Sequence, residues 1–158
     1  MWYKPQRGRF DPGGAQLADR HYNRRKVGSP QFVPPGRCVV LRAPGAVWVT
    51  SWPYAQWVKH QWGGAWVNSL FRRESGPLAS EMIRAAVAAT LSIWPEPPTL
   101  GIVSFIDANK VKPKQTPGYC YLMAGWHHVG FTKAGLWVYQ QLPEEMPWPE
   151  AVLNEQSA

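Results

Sequence analysis

Residues 100–140 read LGIVSFIDANKVKPKQTPGYCYLMAGWHHVGFTKAGLWVYQ, and their pattern decides the fold. Ile102 to Ile106 is a short apolar run rich in β-branched and aromatic residues, which predicts a buried strand. A single carboxylate, Asp107, stands where that strand ends. A basic loop follows, carrying Lys110, Lys112 and Lys114, and then Pro117-Gly118. Tyr119 to Ala124 is compact and apolar and predicts one or two helical turns. His127 to Phe131 and Leu136 to Tyr139 read as two more strands, with Lys133, Ala134 and Gly135 as the turn between them. An acid at a strand end beside a loop is where α/β sheets usually place chemistry.

Upstream, Pro5, Gly8, Pro12 and Gly13 punctuate a basic stretch, so residues 1–13 are expected to be a basic extended arm. Gln16 to Arg25 predicts a short helix, ended by a Pro/Gly-rich loop, VGSPQFVPPGR, in which Phe32 is the expected anchor. Cys38 to Arg42 and Val47 to Ser51 predict a hairpin closed by Ala43-Pro44-Gly45-Ala46, and Ala65 to Phe71 a third strand. Met82, Ile83, Ala86, Val87, Thr90, Leu91 and Trp94 recur at helical spacing, with Ser80 as expected N-cap, Glu81 in the first turn, and Pro95, Pro97 and Pro98 as the stop. The segment 143–158 is Pro- and Glu-rich and is expected to trail over the surface. The resulting fold class is α/β (α+β): one domain over residues 14–142, a mixed, mostly antiparallel sheet with flanking helices.

The 158 residues suffice for one core, and 45% hydrophobic with 17% charged residues is a globular composition. Net charge is +7, concentrated at the front: residues 1–30 hold seven Lys/Arg against two Asp. A basic front and a basic loop suit a polyanion, nucleic acid first, although a solvated charged surface has the same composition. Arg20, Arg24, Arg25 and Lys26, with Lys110, Lys112 and Lys114, are the candidate nucleic-acid contacts. The ten Trp serve either a core or base stacking; Trp57, Trp62 and Trp66 are assigned to packing. Cys38 and Cys120 have neither metal nor disulfide spacing and read as buried thiols. No apolar run reaches membrane length and no signal-peptide pattern is visible, so the expected location is cytoplasmic, with no membrane partner.

No Walker loop, zinc spacing, GxSxG or HExxH is present. Asp107 is a candidate general base, orienter or metal ligand, and equally a loop-capping Asp. His21 beside Tyr22 is a candidate proton shuttle or ligand, where a lone surface His is the bland alternative. Tyr119 and Tyr121, near Asp107 in sequence, are each a candidate proton donor or ligand, or a buried aromatic with a satisfied hydroxyl, and which of them faces the site is open. Of His127 and His128, strand alternation turns only one inward, which argues against a two-His metal site. The strand, polar turn and helix start over residues 71–82 form a candidate anion site.

These pieces resemble the GNAT acyltransferase fold, in which a strand, a turn and a helix N-terminus hold the pyrophosphate of coenzyme A. The resemblance implies Arg72, Arg73, Gly76 and Ser80 as cofactor-binding residues and acetyl-CoA or another acyl or aminoacyl donor as cofactor. The usual glycine-spaced turn is missing from this sequence.

A closer resemblance is to the Mom family of bacteriophage DNA-modification proteins, of the actinobacteriophage type. It rests on His21-Tyr22-Asn23-Arg24, on Asp107 in IVSFID, and on Tyr121 to Trp126 followed by Val129-Gly130. The stretch PGYCYLMAGWHHVGFTKAGL also resembles phage proteins. The resemblance implies transfer of a carbamoylmethyl-type group to the exocyclic amine of adenine in double-stranded DNA, which protects phage DNA from restriction. It also implies a bound iron, and a bacterial host cell during infection as the setting. By resemblance, His21, Tyr22, Asp107 and Tyr121 are the catalytic residues, and His21, Tyr22 and Asp107 the metal ligands. Two rivals stand beside it: an acyl-CoA N-acyltransferase acting on a small amine or protein, and a DNA-binding protein without chemistry. A monomer and a homodimer are both left open.

Overall fold

The chain builds one eight-stranded sheet, seen in a computed structural model that describes residues 1–53, 58–110 and 116–156. One half of it is built on the expected hairpin. β2 (Arg37–Ala43) and β3 (Ala46–Trp52) pair antiparallel in register from Arg37↔Trp52 to Ala43↔Ala46. Gly45 turns the chain at a φ of 73°, a left-handed conformation that glycine adopts without steric cost. β3 is buried on both faces, which explains its unbroken apolar run: Trp48 faces one core and Val47 and Val49 the other.

β4 (Trp66–Arg73) pairs antiparallel with β3, with a register shift between Val49 and Thr50. α2 (Ala79–Ile93) then crosses one face, and its Met82, Ile83, Ala86 and Val87 are completely buried. β5 (Ile102–Ile106) follows, parallel to β4. α3 (Tyr119–Met123), β6 (His127–Phe131) and β7 (Trp137–Gln141) complete the unit expected from residues 100–140. The sheet order places β7 between β5 and β6, both antiparallel to it. This mixed, mostly antiparallel sheet with helices on its faces is the architecture expected from the sequence pattern.

Several local expectations differ from the structure. α1 spans Pro12–Asp19 rather than Gln16 to Arg25. Asp11 caps it by accepting from the Gly14 N–H at 2.8 Å, and Pro12 presets the first helical φ. Residues 1–13 therefore do not form an extended arm. Tyr3–Lys4 is a strand, β1, beside β2, and Trp2 is buried, its indole donating to the Met82 carbonyl at 2.9 Å. The C-terminal segment does not simply trail, because Leu153–Asn154 forms β8, parallel to β1. The Glu155 N–H also donates to the Lys4 carbonyl at 2.8 Å. Ser80 is not the N-cap of α2: Leu78 holds that position and no side chain caps the helix. Among the described residues no helix is long and apolar enough to cross a membrane.

Candidate active site

The parallel pairing of β4 with β5 sets the geometry. β4 and β5 pair only at Trp66↔Ile102 and Val67↔Val103. Beyond that point Asn68 to Phe71 and Ser104 to Ile106 line opposite sides of a cavity of about 800 Å³. His21 to Asn23 close it from one side, Gly118 to Tyr121 from another, and Arg73 and Ala79 at the end of β4 and the start of α2.

At its floor lies a buried polar cluster. The Tyr121 hydroxyl donates to Asn68 Oδ1, and Ser104 Oγ reaches the same oxygen at 3.4 Å. Asn68 Nδ2 donates to the carbonyls of Val49 (3.0 Å) and Leu70 (2.9 Å), at the point where the β3–β4 register shifts. Asn68 thus satisfies carbonyls around the irregularity and fixes the phenol with its other end. Burial pushes the Tyr121 pKa well above the ordinary tyrosine value, with Cys120 adding to the shift, so the hydroxyl remains protonated.

His21 and Tyr22 stack, ring centroids 4.4 Å apart and planes 28° from parallel. His21 Nδ1 lies 2.7 Å from Asn23 Oδ1, and Asn23 Nδ2 donates to the Ser69 carbonyl at 3.2 Å, which ties the segment to β4. Desolvation lowers the His21 pKa, and Arg72 acts in the same direction, against the Asn23 side chain and the Phe71 backbone. The ring is therefore held toward its uncharged form. Desolvation raises the Tyr22 pKa, opposed by the Asp107 backbone and reinforced by the Asp107 charge. The Lys110 ammonium sits 5.9 Å from the Tyr22 ring centre.

Asp107 does not line the cavity. Its Oδ1 accepts from the Asn109 N–H at 3.0 Å, closing the turn at residues 108–110. It behaves as the loop-capping acid, with its charge felt at Tyr22. Of the expected iron donors, His21 Nδ1 is engaged by Asn23 and Asp107 Oδ1 by the turn, which leaves His21 Nε2, the Tyr22 hydroxyl and Asp107 Oδ2 as the atoms that could hold the metal. Among the described residues no three His, Cys, Asp or Glu side chains cluster as a metal site. His127 pairs with Glu145 and His128 stacks on Trp137 at 4.7 Å, so the two do not act together.

The expected cofactor side is built differently from a set of free cations. Arg72 and Arg20 both pair with Glu74, at 3.2 and 2.5 Å. Arg73 donates to the carbonyls of Pro77 and Gly76 and so staples the turn between β4 and α2. Ser80 lies outside the cavity lining, whereas Ala79 is part of it. What this end offers a phosphate is the uncapped first turn of α2, whose backbone N–H groups have no side-chain partner.

Among the candidate nucleic-acid contacts, Arg24 is committed to its own loop, bonding Asp19 (2.8 Å) and the carbonyls of Gln31 and Ser29. Arg25 and Lys26 are exposed, and their side chains have no hydrogen-bond or ion-pair partner among the described residues. Lys112, Lys114 and Trp57 lie outside the described residues. Asn68, Ser104 and Asn23 were not anticipated. The available signal was Asn68 at an inward position of WVNSLF, where a strand-averse amide needs a reason to be. No family model, no curated protein and no solved structure matches the chain.

Proposed function

We propose that this cavity is the active site of a GNAT-like transferase of Mom type that modifies the exocyclic amine of adenine in DNA. The observation that carries the reading is the convergence of His21, Tyr22, Asn68 and Tyr121 where β4 and β5 part. These residues come from separate parts of the chain, and all three short pieces behind the resemblance contribute to the lining, IVSFID through Ser104 to Ile106 rather than Asp107. The strand order, with a helix between β4 and β5 and those two strands paired in parallel, supports the GNAT-like part of the reading.

In this reading the adenine amine attacks an activated carbon of an acyl or aminoacyl donor. The new C–N bond forms as the donor's bond to its leaving group breaks, and the amine loses one proton. His21, held uncharged, is the group suited to receive that proton. Tyr121 has its own proton on Asn68 and so turns an oxygen lone pair toward the cavity, where it can accept from the amine and orient it. Asp107 acts through Tyr22 and the 108–110 turn rather than on the acceptor. Donor phosphates would rest on the first turn of α2.

A second reading, acyl-CoA transfer to a small amine, is favoured by that same uncapped helix start, which does not distinguish acceptors. Mass spectrometry of nucleosides from the DNA of cells expressing the protein separates the two. A heavier deoxyadenosine is the expected product. Unmodified DNA together with acyl-CoA turnover on free amines would transfer the site to the second reading.

A further inference from the structure

A second cavity, of about 470 Å³, adjoins the first. The two share Asn23, Ser69 and Leu70 as a common wall. The second cavity is lined by the cationic Arg24, Arg25 and Lys26 and by the apolar rings of Phe32, Pro34 and Pro35. No carboxylate among the described residues lines it. Arg24 is consumed in shaping it, because its bonds to Asp19, Ser29 and Gln31 pin the loop into a rim. Arg25 and Lys26 are left with free charge, and Pro34 and Pro35 are exposed.

Cationic side chains and apolar rings lining one concave space suit a ligand that is anionic at one edge and flat and apolar at the other. A nucleotide has that character. The volume is that of a small-ligand site, not of a duplex groove. We infer that this annex holds the nucleotide next to the reacting one: its phosphate on Arg25 and Lys26, its base against Pro34 and Pro35. The inference rests on the proposed nucleic-acid substrate and makes it more specific. The acceptor is a locally unpaired stretch of at least two nucleotides, with the reacting base in the main cavity and its neighbour in the annex. A base inside an intact duplex cannot occupy a cavity of this kind without leaving the stack.

The test is binding of a fluorescein-labelled single-stranded 12-mer, followed by anisotropy over a series of salt concentrations. Three proteins are compared: wild type, Arg25→Ala/Lys26→Ala, and Lys59→Ala/Lys133→Ala, which removes the same charge from exposed sites outside both cavities. The annex predicts that Arg25→Ala/Lys26→Ala binds about tenfold more weakly and that its salt slope falls by about 0.7, the contribution of the one phosphate the annex holds. The Lys59→Ala/Lys133→Ala protein should retain wild-type binding. A fully paired 12-mer of the same sequence should bind wild type more weakly than the single strand. Equal losses in both double variants, or none in Arg25→Ala/Lys26→Ala, would overturn the annex while leaving a nucleic-acid substrate standing. Absence of binding by wild type would overturn both.

Discussion

Tyr121 and Asn68, 53 residues apart in the chain, meet at the floor of the main cavity, where the Tyr121 hydroxyl donates to Asn68 Oδ1. The pair joins α3 to β4 on the side where β4 has parted from β5, and so holds the cavity at a fixed width. Removing one partner of a buried hydrogen bond costs more than the bond itself, because the other is left unsatisfied. Tyr121→Phe should destabilise the fold by about 1–2 kcal/mol. Asn68→Ala should cost about 3 kcal/mol, since it also strips the carbonyls of Val49 and Leu70 of their donor. In urea denaturation the double variant should be less destabilised than the sum of the two singles, as expected for coupled groups. Strict additivity would mean the two do not interact.

Trp2 tests whether the N-terminal segment belongs to the fold. Its ring is 7% exposed and its indole N–H is bonded to the Met82 carbonyl. Trp2→Ala should cost about 3–5 kcal/mol, the range for removing a large aromatic from a core. A free arm would lose almost nothing, so an unchanged urea midpoint would contradict the packing described.

Gly118 carries a double constraint. Its φ is 72°, and a Cβ built there would stand 2.1 Å from the Tyr139 ring. Gly118→Ala should therefore destabilise by about 2 kcal/mol or more, from overpacking added to the left-handed backbone. The same change at Gly135, also left-handed (φ 86°) but with nothing within 4 Å, should cost only the backbone contribution, about 1 kcal/mol. Equal thermal shifts for the two variants would refute the close approach.

The pH dependence of stability follows from His21. Desolvation lowers its pKa below the ordinary 6.5, so between the folded and unfolded values the unfolded chain binds more protons. Stability therefore rises with pH toward 6.5 and is lost as pH falls below it. His60, whose pKa burial also lowers, acts in the same direction. Asp19 and Glu74, lowered by their arginine partners, add a similar dependence in a more acid window. Melting temperature should climb from about pH 5 to 7, and His21→Asn should flatten part of that rise. A wild-type profile flat over this range would contradict the desolvated ring.

The unit at residues 100–140 was legible because each piece has a local cause: an apolar β-branched run at Ile102–Ile106, Gly118 before α3, and Gly135 in the hairpin turn. α2 was legible from its apolar stripe, but its start was not. Ser80 has the chemistry of a cap, yet the chain after Pro77 is already helical by Ala79. β1 and β8 are two residues each, too short for any period, and exist because Trp2 finds a place beside Met82. At the site, His21, Tyr22 and Tyr121 could be singled out as residue types. Their meeting with Asn68 and Ser104 could not, since it depends on where two parallel strands part. The role of Asp107 turned on a backbone N–H two residues away, a choice between capping and chemistry that residue type alone leaves open.

The most direct measurement is the mass of deoxyadenosine digested from the DNA of cells expressing either wild type or Tyr121→Phe, with both proteins shown to be folded. A heavier deoxyadenosine in wild type that falls about tenfold or more in Tyr121→Phe is the predicted result, the loss of one orienting contact in the transition state. Unmodified DNA from wild-type cells, or equal modification by both proteins, would contradict the assignment of this cavity to adenine modification.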